Sequence, residues 1–343
     1  MRNAVIFIII GLCFYGCFWQ KEEIVDFHSD TLHVYATEIF LNEDFYSEMF
    51  PLFENIFNCE VDTKIFPDVF AILDSLKNIP DSLQNIDIIF GLDNVVYPDI
   101  YKDSLLIAYE AKNLRFVEKK NLIDPTFQTT PVSFCQIGFI YNNYQIEKVP
   151  STFGEMQDGI FKEKIILMNP RTSSLGRAML IWSVAAFGSN GYGHFWRSVK
   201  ENIYTVADNN DDAYNMFLAA QAPLVIGYNT TPVYHQIMEN SQKYKTTIPS
   251  EGSYNYYLTA GIHRSTHNLE MSQKFIEFIL SEDFQTYIPK RMWMYPVNKQ
   301  IELGPKYELL PKSTKDYSKT FSDRSINRNI SAWLKRWESI MLK

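Results

Sequence analysis

The sequence predicts a two-lobed α/β protein with a ligand cleft between its lobes. Three observations point there. Strands and helices alternate in two successive runs, no Gly/Ser linker separates the runs, and two apolar strands are longer than one lobe requires. At 343 residues the chain has room for two domains. It is 46% apolar and 21% charged, which excludes disorder, and its net charge of −8 argues against a nucleic-acid partner. Aromatic residues are abundant, with 6 Trp, 21 Tyr and 25 Phe, so stacking surface for a flat ligand is available besides core.

The first element is an export signal. Arg2 precedes AVIFIIIGLCFYG, an apolar run too short for a comfortable membrane span. Gly16-Cys17 resembles the cleavage point of bacterial lipoprotein signals, although Phe14 stands where that pattern prefers a Leu-type residue. Residues 1–16 are therefore expected to be a signal peptide, with Cys17 acylated as the mature N-terminus. A plain signal or an uncleaved anchor is the alternative. Cys59 and Cys135 then remain in the mature body, too few for a disulfide framework, and they either pair or stay buried.

The first run reads HVYAT (33–37) as a strand, PLFENIF (51–57) as a helix with Pro51 in its first turn, and CEVDTKIF (59–66) as a strand. DVFAILDSL (68–76) is a helix, and IDIIFGL (86–92) is a continuous apolar strand buried on both faces. VSFCQIGFIYN (132–142) is long and apolar. The second run brings the strand KIILM (164–168), the helices LGRAMLIWSVAAFG and GHFWRSVKENI, the strand IYTVAD, and the helix DDAYNMFLAA. APLVIGY then leads through NTTP into a helix, before a second long strand, YNYYLTAGIHR (254–264). Helical patterns close the chain at NLEMSQKFIEFIL, FQTYIP and NISAWLKRWESIM. The two long strands are the expected crossovers, giving one lobe from 24–134 with 259–343 and another from 135–258.

In open parallel sheets, ligands sit beyond the carboxyl ends of strands. Those ends carry Asp93-Asn94, then Asn169-Pro170-Arg171-Thr172-Ser173-Ser174, then Asn229-Thr230-Thr231-Pro232. Helix N-termini with Ser/Thr hydroxyls suit an anion, or serve simply as caps. No HExxH, GxSxG, Walker loop or strand-linked GxGxxG occurs, and His28, His33, His194, His235, His263 and His267 show no metal-ligand spacing. His194 and His235 read as helix-surface or satisfied half-buried residues. Asp211-Asp212 reads as a helix start favoured by the dipole. The chemistry is that of a binder rather than an enzyme.

DIIFGLDN (87–94), NPRTSSLG (169–176), YNTTPVYH (228–235), SEGSY (250–254) and WMYPV (293–297) resemble motifs of bacterial thiamine-binding proteins, in the same order and with similar spacing. Those proteins are solute receptors of ABC importers. The resemblance implies the type II periplasmic-binding fold, with a double crossover and hinge closure over the ligand. It implies that Tyr228, Tyr234 and Trp293 offer aromatic faces to a thiazolium and a pyrimidine, with Asp93 and Ser173 at the polar end. Asn94, Thr231 and Asn210 belong to the same expected ligand-binding set.

Three positions depart from the family. Thr37 stands where a Tyr is usual, and the stretch Asn42-Glu43-Asp44-Phe45 stands where a Trp is usual several residues on. Asn210 replaces a further Trp, with Phe45 or Tyr46 as candidates to compensate. The expected function is capture of thiamine, a thiamine phosphate or a precursor, outside the cytoplasm, and delivery to a permease and its ATPase. The protein is expected to be a lipid-anchored monomer without a cofactor. The alternatives are a receptor of the same fold for ferric iron, with Tyr256-Tyr257 as the suggestive pair, or for another small cation. An enzyme of thiamine pyrimidine metabolism is the remaining one.

Overall fold

The computed structural model describes residues 31–39, 41–78 and 84–343. The expected signal peptide and Cys17 lie outside the described residues. The first run comprises β1 (Thr31–Thr37), α1 (Phe45–Phe57), β2 (Glu60–Phe66), α2 (Val69–Asn78), β3 (Ile88–Asp93) and α3 (Tyr97–Asp103). Strands β2, β1 and β3 pair in parallel. All six residues of β3 are buried, as its unbroken apolar sequence requires.

Helix α1 starts six residues before Pro51, so the proline sits in the helix interior and not in its first turn. Phe45, Tyr46, Met49, Phe50 and Phe53 form the buried face. Burying each side chain of that kind contributes about 1.5–3 kcal/mol, and together they outweigh the ~3 kcal/mol cost of an interior proline. The helix stops at Asn58, which takes a left-handed conformation with φ 51°.

After β4 (Leu106–Ile107), the long strand β5 (Thr130–Asn142) leads to β6 (Ile165–Met168), α4 (Ser174–Val199), β7 (Ile203–Ala207), α5 (Asn210–Leu218), β8 (Leu224–Tyr228), α6 (Thr231–Met238) and β9 (Tyr244–Thr247). Gly188, at φ 72° and ψ 167°, breaks α4 into the two helices that the sequence suggests. Then come β10 (Asn255–His263), α7 (Leu269–Ile279), α8 (Glu282–Gln285), β11 (Tyr295–Pro296), α9 (Pro305–Glu308) and α10 (Asp323–Met341).

The main sheet path runs β2-β1-β3-β10-β5-β8-β6-β7. Strand β5 changes partner midway: through Gln136 it pairs antiparallel with β10, and from Ile137 with β8. One strand thus belongs to both lobes. The return is made ahead of β10, whose Tyr256 lies opposite Cys135. The segment 311–317 crosses the same place a third time. Gln136 Nε2 donates to the Ser313 carbonyl at 2.8 Å, Ser313 N–H donates to Gln136 Oε1 at 2.7 Å, and Asp316 accepts from Asn255. Helix α10 packs on both α4 and α3, with Trp337 edge-on to Trp196 and Arg171 paired to Glu338.

Cys135 is a buried free thiol, so it forms no bridge to Cys59. Among the described residues, no helix is long and apolar enough to cross a membrane.

Candidate functional site

Three strand-to-helix turns and the start of β10 converge on Asp93. The Asp93 carboxylate is 2% exposed. Its Oδ1 accepts from the backbone N–H groups of Val95 and Val96 at 2.9 and 3.2 Å, and its Oδ2 accepts from the Tyr256 hydroxyl at 2.9 Å. Burial pushes this carboxyl above the usual range, opposed by Ser174, Tyr256, the Val95 N–H and the Arg177 guanidinium. The Tyr228 ring stands 5.3 Å from that of Tyr256, and burial pushes both phenols up. The arrangement is a buried negative group walled by two aromatic rings.

Arg177 of α4 reaches toward the other lobe. Its Nη1 lies 3.3 Å from Asp99 Oδ2 of α3, and its guanidinium sits 4.3 Å over the Phe70 ring of α2. Ser173 caps α4 by accepting from Gly176 N–H at 3.0 Å, and donates to Asn210 Oδ1 at 2.7 Å. The helix can come so close because residue 176 is glycine: a Cβ there would lie 2.5 Å from the Met168 carbonyl oxygen.

Tyr234 and Trp293 form an edge-to-face pair with centroids 5.4 Å apart. Trp293 follows a π-helical turn, Ile288–Met292, and takes a left-handed backbone with φ 54°. Such a conformation in a bulky residue costs of order 1–2 kcal/mol and is a common mark of functional sites. Its buried Nε1 has no hydrogen-bond partner, and the same holds for the buried Oγ1 atoms of Thr230 and Thr231. Buried polar atoms in native proteins are nearly always partnered, so these three are suited to a bound solute.

Other expected residues are spent on the frame. Asn94 donates to the Asn255 carbonyl at 3.0 Å and accepts from Tyr257 N–H at 3.1 Å. Asn229 holds the β8–α6 turn to the crossing point, accepting from Gln136 N–H and donating to the Pro311 carbonyl. Thr37 donates to the Gly91 carbonyl at 3.3 Å. Phe45 and Tyr46 do not replace the missing cleft aromatics. Phe45 packs among Tyr46, Phe90 and Phe284, and the Tyr46 hydroxyl donates to the Thr37 carbonyl. Their apolar neighbours on α1 carry them into the core.

The expected thiamine-binding set leaves out Arg177, Thr230 and Tyr256. Thr230 nevertheless stands in a polar turn marked for the ligand, and Tyr256 is read only with Tyr257, as a pair suggestive of iron. Tyr256 carried a signal, since it and Tyr257 alternate on a strand. Its ring faces Asp93, whereas the Tyr257 hydroxyl donates to Asn121 Oδ1. The remaining electrostatics are negative. Burial raises the carboxyls of Glu38 and Asp211, and the neighbouring carboxylates Glu43, Asp68 and Asp212 add to it. Among the described residues, no group of three or more His, Cys, Asp or Glu side chains could hold a metal ion. His235 is fully buried rather than half-buried, bonded on both sides to Tyr214 and Glu239.

The family model described as bacterial extracellular solute-binding protein matches residues 84–314. The chain belongs to that family. This solute-binding protein is 26% identical over 310 residues to the thiamine-binding periplasmic protein of Brucella suis, covering 90% of this chain and 91% of the relative. It is 27% identical over 290 residues to the protein of that name from Escherichia coli, covering 83% and 85%. Among solved structures it is similar to a periplasmic thiamin binding protein, with a TM-score of 0.79 at 25% identity, covering 91% and 96%. It shares its fold with the ferric ion-binding protein A of Pasteurella haemolytica, with a TM-score of 0.74 at 15% identity, covering 91% and 98%. The expected two-lobed type II fold is thus the fold of this chain, and a solute-binding protein of this kind works with a membrane permease.

Proposed function

We propose that this protein captures thiamine, or a thiamine phosphate or precursor, outside the cytoplasm and delivers it to an ABC permease. The similarity to thiamine-binding periplasmic proteins along nearly the whole chain carries the reading. The local chemistry agrees with it. A thiazolium is a flat cation, and a buried carboxylate beside the Tyr228 and Tyr256 rings offers charge and stacking together. Trp293, Tyr234, Thr230 and Thr231 supply a second aromatic wall and unpartnered polar atoms for the rest of the solute. The bodies that close on it are 24–134 with 259–343 and 135–258, with α10 reaching across.

Ferric iron is the rival solute. The adjacent tyrosines 256 and 257 point to opposite sides of their strand, so they do not form a chelating pair. We read the protein as a binder and not as an enzyme, on its membership of the solute-binding family. We infer in addition that it acts as a monomer, held at the membrane by a lipid on Cys17. Cys17→Ser should release it to the soluble fraction, and an unchanged membrane fraction with an unchanged mass would refute the anchor. Titration calorimetry with thiamine and its mono- and diphosphate tests the solute. Binding of none of them below about 1 mM, equivalent to ~4 kcal/mol, would reject it.

A further inference from the structure

Carboxylates from both sides of the cleft meet beside the Trp293 turn. Glu38 follows β1, Glu43 precedes α1, and Asp68 accepts from Ala71 N–H at 2.8 Å where α2 begins. Asp211 and Asp212 stand in the first turn of α5. Burial raises the Glu38 carboxyl, and Asp211, Glu43 and Asp68 raise it further, so charges carried by α5 act on the end of β1. Asp211 is raised in the same way, by burial and then by Asp212 and Glu43. Glu38, Glu43, Asp211 and Asp212 keep exposed surface and form a rim.

This rim adjoins the site built around Asp93, Tyr234 and Trp293. Leu41, between Glu38 and Glu43, packs with Tyr234 against the cluster that holds Val233 and Trp293, and the buried Trp293 Nε1 has no partner. Asn42 Nδ2 donates to the Arg291 carbonyl at 3.1 Å, just ahead of that tryptophan. Across the cleft Asn210, next to Asp211, accepts from Ser173 at 2.7 Å. The arginines of the same turns are engaged elsewhere. Arg171 pairs with Glu338 and Arg291 with Glu48, while Arg177 is held by Asp99, the Pro170 carbonyl and the Phe70 ring. The start of α6, at Thr230 and Thr231, favours an anion with about half a unit charge. Five rim carboxylates and Asp93 outweigh it.

We propose that this carboxylate rim makes the receptor selective for the unphosphorylated thiamine cation over its phosphate esters. The proposal rests on thiamine as the solute and narrows that reading. A phosphate ester adds about −1.5 to −2 charge at pH 7, which turns a cation into a net anion. A cleft lined by one sign of charge concentrates the opposite sign and repels its own.

The test is titration calorimetry of the full chain with thiamine, its monophosphate and its diphosphate at two salt concentrations. At about 0.05 M salt, wild type should bind thiamine about tenfold more tightly than the monophosphate, and the diphosphate more weakly still. The gap should shrink to about threefold near 0.5 M, because exposed charges are screened. The variant Glu38→Gln, Glu43→Gln, Asp211→Asn should narrow the low-salt gap to about threefold, chiefly by tightening the esters. A purely structural loss would instead weaken all three solutes alike and leave their ratio unchanged. An unchanged melting midpoint shows that the variant is folded, and the salt series on wild type needs no variant. Wild type that binds the monophosphate as tightly as thiamine at low salt overturns the proposal and leaves thiamine standing as the solute. A folded variant that keeps the full ratio overturns it too. Binding of none of the three solutes overturns both readings.

Discussion

The Tyr256 hydroxyl donates to Asp93 Oδ2 at 2.9 Å, and this bond ties the end of β3 to the strand that returns between the lobes. The phenol keeps its proton, since burial raises its pKa, so it can only stabilise the carboxylate by donation. Asp93 is nevertheless costly to ionise where it lies. The site holds a buried negative charge whose partners compensate it incompletely.

Asp93→Asn should therefore act in opposite directions on stability and binding. The folded carboxyl is raised above its unfolded value, so its stabilising contribution is present below the unfolded pKa near 3.9 and is lost as pH rises through the folded pKa. At neutral pH the neutral variant should melt higher than wild type in the absence of solute. Affinity for thiamine should fall about ten- to a hundredfold, the weight of a desolvated charge contact of ~1.4–2.8 kcal/mol. Calorimetry and thermal melting at pH 7.5 measure both, and a variant that melts lower while binding thiamine normally would contradict the assignment.

Trp293→Ala removes a ring and an unpartnered N–H together. Binding should weaken by ~1–3 kcal/mol, about ten- to a hundredfold, and Tyr234→Ala should behave alike because the rings support each other at 5.4 Å. The double variant should lose less than the sum of the single losses. Strict additivity, measured by calorimetry, would place the two rings in separate sites.

Arg177 spans the lobes, stacked on Phe70 and paired with Asp99. Arg177→Gln should shorten the life of the closed state, with solute release accelerated by about five- to thirtyfold for a loss of ~1–2 kcal/mol. Stopped-flow release and small-angle scattering of the solute-bound protein report this. Release at the wild-type rate, with unchanged compaction, would make the contact incidental to closure.

His235 should make the protein acid-sensitive. Burial depresses its pKa, outweighing the Glu239 carboxylate beside it, while Lys243 adds to the depression. Its contribution is present above the unfolded value near 6.5 and is lost as pH falls from there through the folded pKa. The melting midpoint of wild type should drop between pH 7.5 and pH 5, and His235→Gln should drop less. Equal losses in the two proteins would show that other groups govern the response.

Much of this architecture was readable because its signals are local. The unbroken apolar run of β3, the length of β5 and the polar turns after β3, β6 and β8 depend on neighbours in sequence, and each appears where the pattern puts it. Helix α1 was misjudged at Pro51. Proline's cost is local, whereas the burial that overrides it is supplied by Phe90, Phe275 and Phe284 from distant elements.

By itself, then, the sequence determined the alternation of strands and helices, the two-lobed class, and which turns carry polar and aromatic groups. Those properties follow from side-chain periodicity and backbone preference within a few residues. Tertiary structure alone decided that Tyr256 joins Asp93, that Arg177 crosses to Phe70 and Asp99, and that Asn94 and Asn229 serve the frame. Each such choice is a contact between residues at least 78 positions apart, judged from the hydrogen bonds and the ion pair that make them. Burial and hydrogen-bond satisfaction settle contacts of that range only once the whole chain has packed.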